Sequence, residues 1–187
     1  VEAVAGKAYR ACAEATPALR SVAAGFRGVD CHPMQSLYYA SKRRHRAVLQ
    51  EEYALRDRHG FDVRWLDADA VQEEFGIQAP GAILSALAAR VDPYQLTYRL
   101  LMRLAKAGCA VHDRTVLHTL EPTARGVTAT TPEGVRIRSR HVVLASGYAG
   151  QRWLKQKVAR NRSSYAFITD PIDPGLLGPL VDTMAWE

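Results

Sequence analysis

The 187-residue sequence predicts an α/β (α+β) fold, on three observations. Asp92-Pro93 opens a helix in which Leu96, Leu100 and Leu104 recur at every fourth residue. His141 to Ala145 is a short apolar, β-branched run followed at once by small residues, as in a strand covered on both faces. Between them lies a set of short strand signals broken by turn residues, which predicts a small β-meander.

Taken in order, Val1 to Ala24 is alanine-rich, with Tyr9, Cys12, Leu19 and Val22 near helical spacing. It is expected to be one helix, or two split at Pro17. Gly25 to Pro33 reads as loop. Gln35 to Ala40 has the aromatic content of a strand. Ser41 can then cap a helix that runs to His59 and ends at Gly60, with Leu49 and Tyr53, and Val48 and Leu55, on a half-buried face. Val63 to Leu66 is a short strand. Asp67 caps a short helix through Glu74 or Phe75, stopped by Gly76. Gly81 to Ala89 is compatible with either period, but the glycine before it and Asp92-Pro93 after it favour a strand.

Asp92 then offers an N-cap acceptor, Pro93 takes the first helical position, and Gly108 falls where a C′ glycine belongs. Cys109 to Val111, Thr115 to Leu120, Gly126 to Thr131 and Val135 to Ile137 are strand signals, the last two joined by a Pro132-Glu133-Gly134 turn. After the run from His141 to Ala145, Ala149 to Gln156 is expected to be a short helix and Ser163 to Thr169 a strand ended by Asp170-Pro171. The remainder, with Pro174, Gly175, Gly178 and Pro179, reads mostly as loop. In open α/β sheets ligands lie beyond the carboxyl ends of strands, which marks Ala145, Ser146 and Gly147 as a candidate ligand edge.

The composition is that of an ordinary globular chain, 48% hydrophobic and 24% charged, which sets aside disordered and fibrous classes. A net charge of +6 favours anionic partners only slightly. Cys12, Cys31 and Cys109 are odd in number and lack scaffold spacing, so reduced thiols and a cytoplasmic setting are expected. No apolar run approaches membrane-spanning length, and Val1-Glu2-Ala3 does not open a secretory leader. Cys109-x-x-His112 and Cys31-His32 lack the second ligand pair that zinc spacing requires, so no metal is expected. Ser146 has Leu144 where a nucleophile elbow needs its first glycine, which argues against a hydrolase. Lys42-Arg43-Arg44-His45-Arg46 reads as a solvated helical turn, since no stacking aromatics are interleaved with it, and no nucleic-acid partner is expected. Tyr38, Tyr39, Tyr165 and Arg44 are the candidates for a substrate pocket.

The segments D-P-Y-Q-L…L-M-R-L-A-K-A-G-C-A-V-H (Asp92 to His112), R-T-V (Arg114 to Val116), T-T-P-E-G-V-R-I (Thr130 to Ile137) and H-V-V-L-A-S-G-Y (His141 to Tyr148) together resemble the D-amino-acid oxidase and glycine oxidase (DAO) superfamily of FAD-dependent oxidoreductases. That resemblance implies part of a Rossmann-like FAD-binding domain with a β-meander, plus a mixed-sheet substrate domain covered by helices. It divides the chain into a substrate-domain portion (1–91), a partial FAD-binding domain (92–150) and a return into the substrate domain (151–187).

By the same resemblance, backbone near Val116 would meet the adenine of FAD and the Ala145-Ser146-Gly147 turn would pass its pyrophosphate side. No catalytic base is implied. Such enzymes open with strand, G-x-G-x-x-G and helix, which places the pyrophosphate on a helix N-terminus. No G-x-G occurs in these 187 residues. The expectation is therefore an internal portion of a longer enzyme, inactive alone, that oxidises a C–N bond of a small amine or amino acid. The alternative is a non-catalytic α+β binding domain without cofactor. Substrate identity, electron acceptor and oligomeric state are not legible in the sequence.

Overall fold

A computed structural model describes residues 2–156 and 168–187. The chain forms two compact units, one of residues 1–108 and 169–187, the other of residues 109–168.

The first unit is built on a four-stranded mixed sheet. Its strands are β1 (Cys31–Tyr39), β2 (Val63–Asp67), β3 (Gly81–Val91) and, near the end of the chain, Thr183–Trp186, in the order β2-β3-β1 and then the Thr183–Trp186 strand. The pairs β1–β3 and β2–β3 are antiparallel, and Thr183–Trp186 runs parallel to β1. The β1–β3 register shifts between Met34 and Ser36. Gln35 at that irregularity turns its N–H to the Asp182 carbonyl at 2.8 Å, so the kink brings in the edge strand.

Strand alternation divides the core between two faces. Leu37, Leu66, Ala82 and Leu84 pack on Val71 and Phe75 of α3 (Ala68–Phe75), with Tyr39 beside them. Ala40 and Ile83 pack on Leu49 of α2 (Arg46–Arg58), with Tyr38, Tyr53, Val63 and Trp65 at the margin. Leu37, Val71 and Ile83 are wholly buried.

α3 forms as its caps dictate. The Asp67 carboxylate accepts from Ala70 N–H at 3.0 Å, and Gly76 closes the helix at φ +69°. α4 (Pro93–Lys106) starts in the same way, Asp92 accepting from Gln95 N–H at 2.9 Å ahead of Pro93. The first helix, α1 (Glu2–Ala24), is unbroken at Pro17. Pro17 gives up one backbone donor, and in the same turn the Thr16 hydroxyl donates to the Cys12 carbonyl at 3.1 Å.

In the second unit β4 (Thr119–Thr123), β5 (Gly126–Thr130) and β6 (Arg136–Ser139) form the expected antiparallel meander. The Thr131–Val135 turn is tied by bonds of 3.0 Å from Thr131 N–H to Val135 and from Gly134 N–H to Thr131.

Several expectations are corrected. Cys109 to Val111 and His141 to Ala145 are not strands: no described strand runs beside either of them, and an extended segment without a neighbour has no ladder to join. Val143 is 88% exposed rather than covered on both faces. Residues 115–118 are irregular, and pairing begins at Thr119. The short helix expected over Ala149 to Gln156 is a 3-10 segment, Gly147–Trp153. Ser41 does not cap α2, because a 3-10 turn, Arg43–His45, intervenes. Cys31 to Pro33 belong to β1 and not to the preceding loop. The terminal segment, read mostly as loop, holds α5 (Pro174–Leu177), a 3-10 turn (Gly178–Val181) and the parallel strand, numbered β7. Most of the expected Ser163 to Thr169 strand lies outside the described residues.

Candidate functional site

β1 ends in two adjacent tyrosines, which alternation sends to opposite faces of the sheet. Both border a cleft of about 190 Å³ lined also by Ala40, Ser41, His45, Val48, Leu49, Glu52 and Glu187. The turn Arg43–His45 folds back so that the Ser41 hydroxyl and His45 Nδ1 lie 3.3 Å apart, and Arg44 Nε donates to His45 Nε2 at 3.3 Å. On the β7 side, the Tyr38 and Trp186 rings stack at 3.9 Å with 2° between their planes. The Trp186 indole N–H donates to Ser36 Oγ at 2.8 Å, which holds the ring over β1.

The α2 wall is braced by Glu52. Its Oε1 accepts from Arg56 Nη2 at 2.6 Å and Nε at 3.1 Å, and from the Tyr9 hydroxyl of α1. Arg56 also donates to Tyr9 Oη at 3.3 Å and lies 4.8 Å from the ring centre. Burial alone would push the Glu52 carboxyl up, but the hydrogen bonds from Tyr9 and Arg56 and the guanidinium charge outweigh it and hold the group below its ordinary value. Burial, then the bond to Glu52, raises the Tyr9 phenol. Arg56 is pushed down by burial and further up by Glu52 and Tyr9, so it stays charged. A second cleft, about 360 Å³, lies on the other side of this cluster, between Tyr9, Cys12 and Thr16 of α1 and Ser36, Val63 and Ser85 of the sheet.

The candidate cofactor residues lie in the second unit. Val116 is 58% exposed in irregular chain, and Ala145 and Ser146 are exposed ahead of the 3-10 segment. Gly147 adopts φ +54° with open space where a Cβ would point, so an approaching group would meet backbone there. These residues offer one approachable turn. They do not by themselves form a cradle for FAD. Among the described residues no group of three or more His, Cys, Asp or Glu could hold a metal ion. All three cysteines are free thiols. Tyr165 lies outside the described residues.

Ser41, His45 and Glu52 line the cleft and Trp186 stacks on Tyr38 of its lining, and the sequence reading did not single any of them out as site residues. Glu52 and Arg56, four apart on a helix, carry a legible pairing signal. Trp186 carries none, since its place depends on a strand pairing set from the far end of the chain.

The sequence model of the DAO family, "FAD dependent oxidoreductase", matches residues 2–185. The chain belongs to that family. The resemblance seen in the sequence segments is thereby confirmed, and FAD-dependent oxidoreduction is the family's chemistry. No curated protein sequence matches significantly.

Solved structures share the mixed α/β fold. Glycine oxidase from Geobacillus kaustophilus superposes with a TM-score of 0.62 at 21% identity, over 75% of this chain and 39% of its own. NikD, an unusual amino acid oxidase essential for nikkomycin biosynthesis, gives 0.53 at 23% identity, over 74% and 37%. L-proline dehydrogenase from P. horikoshii gives 0.54 at 12% identity, over 71% and 38%. The DAO-family chain thus spans about two fifths of the length of these enzymes. No helix among the described residues is long and apolar enough to cross a membrane.

Proposed function

We propose that this stretch carries the substrate-facing sheet, and one cofactor-facing turn, of an FAD-dependent enzyme that oxidises a C–N bond of a small amine or amino acid. The observation that carries the reading is the cleft at the end of β1, where Tyr38 and Tyr39 meet Ser41 and His45 beside a braced α2. The family's FAD-dependent oxidoreduction, together with relatives named glycine oxidase and amino acid oxidase, supports this reading.

The flavin of the whole enzyme supplies a two-electron acceptor for a hydride from the carbon next to nitrogen. The chain's own part is binding and exclusion of water. The Tyr38 ring, backed by Trp186, presents an apolar surface to the cleft, while Ser41 and His45 offer polar atoms to a substrate. Backbone around Val116 and the Ala145-Ser146-Gly147 turn is assigned to the cofactor side. The 187-residue stretch alone is expected to be inactive.

The test is made on the full-length protein. Flavin absorbance that bleaches when an amine or amino acid is added without oxygen is the expected result. A protein without flavin, or with flavin that no amine bleaches, would overturn the proposal and leave a non-catalytic binding domain in its place.

A further inference from the structure

The proposed reaction makes no use of the second cleft, the one of about 360 Å³ on the far side of the Tyr9, Glu52 and Arg56 cluster. Its floor departs from the rest of that sheet face. Tyr38, Ala40, Val63, Trp65 and Ile83 make the neighbouring positions apolar or aromatic, but Ser36 and Ser85 stand opposite each other on β1 and β3, next to the shift in register, and both line the cleft. Side chains opposed in this way on one face of an antiparallel pair stand about 5 Å apart, within reach of a single ligand atom.

Each serine hydroxyl already accepts a bond, Ser36 Oγ from the Trp186 indole at 2.8 Å and Ser85 Oγ from the Leu87 N–H at 3.4 Å. Neither donates its own hydrogen to an acceptor among the described residues, so two half-buried O–H donors remain at the cleft floor. Arg56 adds a third, since its Nε and Nη2 are taken by Glu52 and Tyr9 and its Nη1 is not. Three such donors recognise an acceptor oxygen.

The remaining lining sets the body of the ligand. Tyr9 and Phe61 meet edge to face, 5.9 Å between ring centres, beside Val63 and Leu87, which suits a flat apolar ring. The Arg56 charge is answered by Glu52, and the exposed Asp62 carboxylate also borders the cleft, so an anion gains little there. The volume falls within the ~300–1,000 Å³ of small-molecule sites.

We infer that the second cleft binds a small neutral aromatic carbonyl compound, its oxygen taken by the Ser36, Ser85 and Arg56 donors and its ring laid against Tyr9 and Phe61. This site is separate from the cleft at the end of β1 and does not depend on amine oxidation.

In the experiment, acetophenone is titrated into the full-length protein by calorimetry, beside ethylbenzene, which keeps the ring and lacks the oxygen, and benzenesulfonate, which adds a charge. Acetophenone should bind more tightly than either. Ser85→Ala should weaken it about fivefold, the size of one net hydrogen bond. Ser36→Ala should act similarly, but Ser85 gives the cleaner variant because Ser36 also anchors Trp186. Phe61→Leu should weaken acetophenone and ethylbenzene alike, and Val48→Ala, in the first cleft, should change neither. Saturating acetophenone should slow alkylation of Cys12, an exposed thiol of the cleft, and leave that of Cys109 unchanged. No binding, equal affinity for acetophenone and ethylbenzene, tighter binding of benzenesulfonate, indifference to both serine variants, or an unprotected Cys12 would each overturn the inference. None of these readouts involves turnover, so failure here leaves the oxidase reading standing, and failure of that reading leaves this site standing.

Discussion

Tyr38 and Trp186 lie face to face, 3.9 Å apart, on neighbouring parallel strands, so the end of the chain, returning to β1, backs a ring that lines the cleft. Aromatic pairs contribute up to about 0.5–1.5 kcal/mol beyond area burial. A double-mutant cycle with Tyr38→Leu and Trp186→Leu in the full-length protein should therefore give a coupling of about 1 kcal/mol in denaturant unfolding. Additive effects would mean that the stack contributes nothing of its own.

The face of β1 covered by α3 makes a larger demand. Leu37 is wholly buried among Leu66, Val71 and Leu84. Leu37→Ala should cost about 2–5 kcal/mol in unfolding free energy, because little around it can collapse into the space. Val48→Ala, at a position 68% exposed on α2, should change stability by no more than about 0.5 kcal/mol.

These two positions also show where the sequence could be read. Short-range signals were sufficient for α3 and α4: Asp67, Gly76, Asp92 and Pro93 act on backbone groups within one turn, and the structure uses each as expected. Strand formation depends on a neighbour, and there the outcome diverged. Val142 and Val143 have strand propensity without a described partner, whereas Thr183–Trp186, set among prolines and glycines, becomes a strand because β1 offers a free edge. The site divided in the same way. Tyr38 and Tyr39 were legible from the aromatic content of their strand, while His45 and Trp186 owe their places to a 3-10 turn and a distant pairing.

The brace at Glu52 predicts an acid-side change in stability. A carboxyl held below its unfolded value, about 4.3, stabilises the fold fully above that value. The contribution is lost as pH falls through the lower native value. Glu52→Gln should accordingly lower the melting temperature at neutral pH and flatten the acid limb, with the variant and wild-type curves converging at the lowest pH. Parallel curves would show that the Tyr9 and Arg56 contacts do not stabilise the carboxylate. Tyr9→Phe should give part of the same loss, since it removes one donor and keeps the ring.

Two glycines separate strain from steric conflict. Gly76 sits at φ +69° with nothing within 4 Å of an added Cβ, so Gly76→Ala should cost about 1 kcal/mol through the left-handed backbone alone, and Gly76→Asn less. At Gly81 an added methyl would lie 2.5 Å from Trp65 Cζ2 and 3.2 Å from the Leu66 carbonyl oxygen. Trp65 must then move, and it packs at 6.0 Å between ring centres against Tyr53 of α2, in the same cluster as Leu49 of the cleft. Gly81→Ala should cost about 1–3 kcal/mol as overpacking, shift the tryptophan emission, and raise KM for the proposed amine substrate more than it lowers kcat. Gly76→Ala should lower stability with KM unchanged. If both variants altered KM equally, the link from Gly81 through Trp65 to the α2 wall would be wrong.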